Sequence, residues 1–167
     1  MKVSFTSVLY FLGAVNALPA FEIDARQVSN KPITLKNGPD PNDNLQCGDN
    51  EYSGRDIYLA AQYGINLALV GETRGRNKYP HTFDHDSSKG NTLKFPKECP
   101  ENDDARKEYP LQVNGRYDGG KNNVKQGDER VVYFHKDDET DIEGHALVYY
   151  CGIMTHVGAP AGGFKLC

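Results

Sequence analysis

One stretch of this chain reads as a helix and everything after it reads as short strands and turns, which limits the fold to a helix packed on a sheet. Ser53-Gly54-Arg55-Asp56 sets an acidic side chain three residues after an N-cap serine, the form of a capping box. Ile57, Ala60, Ala61, Gly64 and Leu67 or Ala68 then recur at helical spacing until Gly71 stops the run. Downstream, residues 78–83, 107–113, 129–135, 146–155 and 164–167 are rich in Tyr, Val, Phe and Ile. Turn-forming segments such as Asp118-Gly119-Gly120 and Gly158-Ala159-Pro160 separate them. The pattern predicts an α+β fold, with one N-terminal helix on a twisted antiparallel sheet of about five strands and the other sheet face open for a ligand.

The N-terminus sets the compartment. Lys2 precedes an uncharged apolar run from Val3 to Val15, which closes in Val15-Asn16-Ala17 and Leu18-Pro19-Ala20. This is the pattern of a secretory signal peptide over residues 1–17, with cleavage as late as residue 20. The run is too short to span a bilayer and no later stretch is apolar enough, so the chain reads as secreted and extracellular, with no membrane partner. Residues 18–26 read either as a pro-segment cut after Arg26 or as an unprocessed tail. Residues 27–46, rich in Pro, Asn, Asp and Gly, read as an irregular polar arm, which leaves 47–167 as one domain.

With 38% hydrophobic residues and no Trp, that domain has a thin core that needs staples. Cys47, Cys99, Cys151 and Cys167 supply them: an even set in a secreted chain implies disulfides, and no two stand close enough to form a zinc knuckle. Four cysteines allow three connectivities, which spacing does not rank. The balance of 19 Lys+Arg against 23 Asp+Glu, net −4, argues against a protein that grips nucleic acid through a broad basic surface. A small enzyme can instead place a few cations only where a phosphate reacts.

Five polar residues fall in or beside the strand-like segments: Tyr79, His81, Glu108, Arg130 and His156. Taken singly, a Glu, Arg or Tyr on a strand is most often a solvated or cross-strand residue. Together on one sheet face, a carboxylate, two imidazoles, a guanidinium and a phenol form a site for moving protons at a phosphodiester.

The motifs holding these residues resemble a known family. Tyr79-Pro80-His81, Glu108-Tyr109-Pro110-Leu111, Asp128-Glu129-Arg130-Val131-Val132-Tyr133 and Gly152-Ile153-Met154-Thr155-His156-Val157-Gly158-Ala159 follow, in order, the strand motifs of the fungal guanyl-specific and purine-specific ribonucleases. Cys47-Gly48-Asp49-Asn50 looks like that family's start and Phe164-Lys165-Leu166-Cys167 like its end, so the likeness spans residues 47–167. It implies a metal-independent, cofactor-free endoribonuclease acting as a monomer on single-stranded RNA, through a 2′,3′-cyclic phosphate and then a 3′-phosphate. Glu108 would be the base, His156 the acid, and His81 and Arg130 the electrostatic partners that keep Glu108 ionised. Tyr79 would donate to a phosphate oxygen, and Phe164 would shield the reacting phosphate.

The resemblance also implies pairing of Cys47 with Cys167 and of Cys99 with Cys151, the second bridge being one seen in purine-specific members and sarcin-like ribotoxins. The base would meet the segment after the Tyr-Pro-His motif, through Phe83, Asp84, His85 and Asp86, with Phe83 as an aromatic floor and Asp86 in place of a family Glu. Gly162-Gly163 stands where relatives often carry an Asn, which favours broader purine cleavage over strict guanine preference. His85, His135 and His145 match no motif and read as surface residues, and residues 136–141 read as a solvated hairpin tip.

Two other readings stand beside the general nuclease. One is a ribotoxin acting on ribosomal RNA; the segment before the helix is short for that class, and acids at Asp84, Asp86, Glu98, Glu101, Asp103 and Asp104 oppose docking on a ribosome. The other is a secreted effector that binds RNA without cutting it, which has no chemical need for Glu108, Arg130 and both histidines.

Overall fold

The computed structural model describes residues 30–120 and 124–167. The expected signal peptide and pro-segment lie outside the described residues. The elements are β1 (Ile33–Lys36), β2 (Asn44–Cys47), β3 (Asn50–Ser53), α1 (Gly54–Leu69), β4 (His81–Thr82), β5 (Arg106–Pro110), β6 (Glu129–Phe134), β7 (Ala146–Thr155) and β8 (Lys165–Leu166).

Helix α1 begins and ends where the sequence places it. Ser53 Oγ accepts from the Asp56 amide at 3.1 Å while Asp56 Oδ2 accepts from the Ser53 amide at 3.0 Å, closing the capping box. Asp56 Oδ1 also accepts from the Asn114 amide, which ties the loop after β5 to the helix start. At the far end Gly71, at φ +68°, takes the left-handed turn that ends the helix. Gly64 lets the helix approach the sheet: a Cβ there would stand 2.4 Å from Tyr133 Oη and 3.1 Å from the Tyr109 ring. The core between the two layers gathers Ile57, Ala60, Ala61, Leu67, Tyr109, Val131, Tyr133, Val148 and Ile153.

The α+β class is observed, but the sheet is mixed rather than purely antiparallel and has six strands. Its order is β1-β7-β6-β5-β4, with β8 also on β7. The extra strand comes from the arm read as irregular. Ile33–Lys36 runs parallel to Ala146–Tyr149, and Asn44–Cys47 pairs with Asn50–Ser53 in a separate hairpin. Two pairings draw the arm in: β7 offers an open edge, and Gln62 and Asn66 on the helix donate to the Lys31 carbonyl at 2.9 and 2.8 Å. The hairpin turn starts with Gly48 at φ +59°, where a Cβ would fall 2.3 Å from Glu129 Oε1.

The open sheet face is only partly open. Residues 83–105 fold back across it with a core of their own: Phe83, Leu93, Cys99, Val132, Cys151 and Met154, flanked by Phe95, Phe134 and Phe164. Fully buried Arg106 anchors this loop. It donates to Asp86 at 2.6 and 2.9 Å and to the Phe83 carbonyl at 2.8 and 3.0 Å, with the Phe95 ring centroid 4.9 Å from its Cζ.

Both disulfides pair as the family likeness implies. Cys47–Cys167 clamps the hairpin to the C-terminus and Cys99–Cys151 clamps the covering loop to β7. By chain-entropy reasoning the longer loop, closed by Cys47–Cys167, is worth about 5 kcal/mol and the shorter about 4. His135, expected on the surface, is buried at 4% exposure because its Nδ1 bonds the Leu147 carbonyl at 2.8 Å across the β6–β7 pair. The 136–144 connection is the exposed tip expected, with Ile142 fully solvated.

Candidate active site

Strand register brings the five polar residues to one patch. β4 and β5 set His81 directly opposite Glu108, and β5 and β6 set Glu108 opposite Val132 and Pro110 opposite Arg130. Side chains alternate faces along a strand, so Glu108 and Arg130 lie diagonally on the same face. Arg130 in turn faces Met154 of β7, and His156 is two residues further on, its amide bonded to the Asp128 carbonyl at 3.1 Å.

At the centre, His81 Nε2 lies 3.2 Å from Glu108 Oε1. Glu108 is 4% exposed, and its other oxygen, Oε2, is buried with no hydrogen-bond partner among the described residues. Burial pushes the Glu108 carboxyl up to about 7, against the pull of the Arg130 guanidinium and the Lys89 ammonium. Burial also lowers the His81 imidazole, with Arg130 adding to that effect. Both partners are thus driven toward their neutral forms. This corrects the expectation that the neighbouring cations hold Glu108 ionised: desolvation outweighs them, and the carboxyl exchanges its proton near neutral pH, where a general base is most effective.

Arg130, 1% exposed, is locked by Nη1 on the carbonyls of Gln126, Gly127 and Glu129 and by Nε on Tyr79 Oη at 3.0 Å. Among the described residues its Nη2 has no hydrogen-bond partner and stays available to an anion. The Tyr79 phenol accepts from Arg130, which leaves its own proton to donate; burial raises its pKa and keeps that proton in place. The Tyr79 ring stacks on His81 at 4.7 Å.

His156 stacks on Phe164 at 3.8 Å, and its Nδ1 lies 2.6 Å from the Gly163 carbonyl. A carbonyl only accepts, so Nδ1 carries a proton and Nε2 is the nitrogen left for substrate. The patch therefore holds a carboxyl that titrates near pH 7, an imidazole with a fixed tautomer, a free guanidinium edge and a phenol proton. That set can move protons on both sides of a phosphate while neutralising its charge. The cavity of about 560 Å³ lined by Ile65, Leu69, Lys107 and His135 lies elsewhere and contains none of these groups.

The expected base-binding residues separate into two pairs. Phe83, 1% exposed, is core, with its ring packed edge-on against Phe95 and Phe164, and Asp86 is committed to Arg106. Neither is available as base floor or base acceptor. Asp84 and His85 stay accessible, paired at 3.3 Å. Arg106 and Asn91 were not singled out from sequence. Arg106 precedes Glu108 by two residues, so strand alternation alone puts it on the same face; Asn91 carries no such signal.

Residues 40–167 match the model of a protein family described as ribonuclease. Guanyl-specific ribonuclease T1 of Aspergillus oryzae is 30% identical over 122 residues, 72% of this chain and 75% of the relative. Guanyl-specific ribonuclease F1 of Fusarium fujikuroi is 29% identical over 121 residues, 72% of this chain and 74% of the relative. The extracellular guanyl-specific ribonuclease Fl1 of Gibberella baccata is 25% identical over 121 residues, 72% of this chain and 92% of the relative.

Proposed function

Because this chain belongs to the ribonuclease family, an RNA-cleaving family, we propose that it is a secreted, monomeric endoribonuclease that cuts single-stranded RNA on the 3′ side of guanine or, more broadly, of purines. Glu108 removes the proton of the ribose 2′-hydroxyl, which attacks the adjacent phosphorus. His156, protonated on both ring nitrogens, delivers its Nε2 proton to the departing 5′-oxygen as the P–O5′ bond breaks, leaving a 2′,3′-cyclic phosphate. In the second step His156 activates water and Glu108 returns the proton, giving a 3′-phosphate. Arg130 Nη2, the His81 imidazole and the Tyr79 hydroxyl meet the charge that builds on the phosphate oxygens, and Phe164 shields that centre from solvent. The RNA supplies its own nucleophile, so the scheme calls for no metal and leaves DNA inert.

The observation that carries this reading is the 3.2 Å Glu108–His81 contact on the same face as Arg130 and His156, with the carboxyl titrating at about 7. A rate limb should follow from it. The base works deprotonated, so the acid-side limb of kcat/KM should rise with pH through about 7. Measuring kcat/KM from pH 5 to 8 checks this; a flat profile across pH 6–8 counts against Glu108 as the base.

Purine preference rests on what the 84–91 segment offers. Asp84 is the accessible carboxylate there, suited to accept from the donors a purine presents, N1 and N2 of guanine or N6 of adenine, while Asp86 is committed to the core. Rates on GpN, ApN, CpN and UpN dinucleotides should place both purines above both pyrimidines. Equal rates on all four would remove the base-specific part of the proposal.

A further inference from the structure

Asn91 sits in the covering loop, 4% exposed, with both ends of its amide engaged. Nδ2 donates to the His85 carbonyl at 2.7 Å, and Oδ1 accepts from the Phe164 amide at 2.6 Å. That amide belongs to the same peptide unit as the Gly163 carbonyl, which accepts from His156 Nδ1 at 2.6 Å. N–H and C=O of a trans peptide point in opposite directions, so Asn91 holds one side of the unit and His156 the other. The result is a chain of hydrogen bonds running His85 carbonyl, Asn91, peptide 163–164, His156. Such chains polarise their members cooperatively: an acceptor on the N–H makes the C=O a better acceptor. The packing is closed around it, since a Cβ on Gly163 would fall 2.4 Å from Asn91 Oδ1.

We propose that Asn91 is a positioning residue for His156, fixing through the Gly163–Phe164 peptide the carbonyl that orients the imidazole and the ring on which it stacks, and linking both to the segment that faces the base. The inference rests on reading His156 as the acid. A base that shifts the His85 backbone then acts on His156 along one hydrogen-bonded path. Removing the Asn91 amide leaves the part-buried Phe164 peptide N–H without its acceptor and frees the peptide to rotate, which loosens the acid without touching Glu108, Arg130 or Tyr79.

The test compares two substrates. Cleavage of RNA needs a proton on the leaving 5′-oxygen; cleavage of a guanosine 3′-(4-nitrophenyl phosphate), whose leaving group departs as an anion, does not. Asn91→Leu should lower kcat on RNA by about 10- to 100-fold with little change in KM, and alter the aryl ester rate by less than about threefold. Asn91→Asp keeps the acceptor for the Phe164 amide but sets a second acceptor against the His85 carbonyl, so it should show the same selectivity with a smaller loss on RNA than Asn91→Leu. If the leucine variant does not fold by thermal unfolding, Asn91→Ala takes its place with the same expectation. Equal losses on both substrates, or no loss on RNA, overturn the proposal. His156→Ala separates the two levels: it should show the same selectivity, and if it loses both substrates equally the acid assignment itself fails, whereas selectivity in His156→Ala without selectivity in the Asn91 variant defeats only the role of Asn91.

Discussion

Glu108→Gln is expected to lower kcat for RNA cleavage by ~10²–10⁴-fold, the usual worth of a general base, and at the same time to make the protein more stable above pH 7. The second effect follows from burial. Glu108 titrates at about 7 instead of its usual 4.5, so the folded state holds the proton more tightly than the unfolded state does. The stability this contributes is fully present below 4.5 and is lost as pH rises through about 7. Above that, the wild type keeps an ionised carboxylate with Oε2 unpartnered. At 1.36 kcal/mol per pH unit the difference amounts to about 3 kcal/mol at most, which a neutral amide of the same shape avoids. Thermal unfolding at pH 5 and pH 8 checks it: the variant should gain several degrees at pH 8 and almost nothing at pH 5. An equal gain at both values, or retained activity, would contradict the assignment.

Asp86→Ala should be the most damaging change outside the candidate active site, at ~3–5 kcal/mol, because it strands a guanidinium of 0% exposure without its carboxylate. That is a large share of the ~5–15 kcal/mol that holds a domain together. Arg106→Met combined with Asp86→Leu should recover part of the loss, since an apolar pair of similar volume no longer leaves a lone buried charge. Urea unfolding with both disulfides intact measures each variant. Unfolding together with the dinucleotide rates separates a structural from a base-binding Asp86: a base acceptor would alter the GpN-to-ApN ratio while leaving the unfolding midpoint nearly unchanged.

Local signals carried the sequence reading where local forces decide. Ser53 and Asp56 announce the helix start because a capping box is closed within four residues, and 146–155 reads as a strand because its own residues favour one. The candidate site is legible for a related reason. Glu108, Arg130 and His156 are fixed by strand alternation and the likeness of their motifs, and the register then brings them to one face.

What stayed hidden depends on contacts between distant segments. The arm residues Ile33–Lys36 alternate apolar and polar side chains over only four positions among prolines and turn formers, and become a strand by lying along the edge of β7. Phe83 and Asp86 look like surface residues of a recognition loop until Arg106, twenty residues on, draws both inward. His135 reads as a solvated histidine at a hairpin end, yet the carbonyl of Leu147 across the strand pair takes its Nδ1. The Glu108 carboxyl follows the same rule: the sequence shows the cations around it and not the depth at which it lies.

The most direct measurement is to incubate the purified, oxidised protein with naked RNA in EDTA and to map both ends of every fragment. Wild-type protein should leave fragments ending after purines in a 2′,3′-cyclic phosphate that converts slowly to a 3′-phosphate, with 5′-hydroxyl ends on the other side. The Glu108→Ala, His156→Ala double variant should leave the RNA whole. Intact RNA with the wild type, fragments bearing 3′-hydroxyl and 5′-phosphate ends, or undiminished cleavage by the double variant would contradict the mechanism.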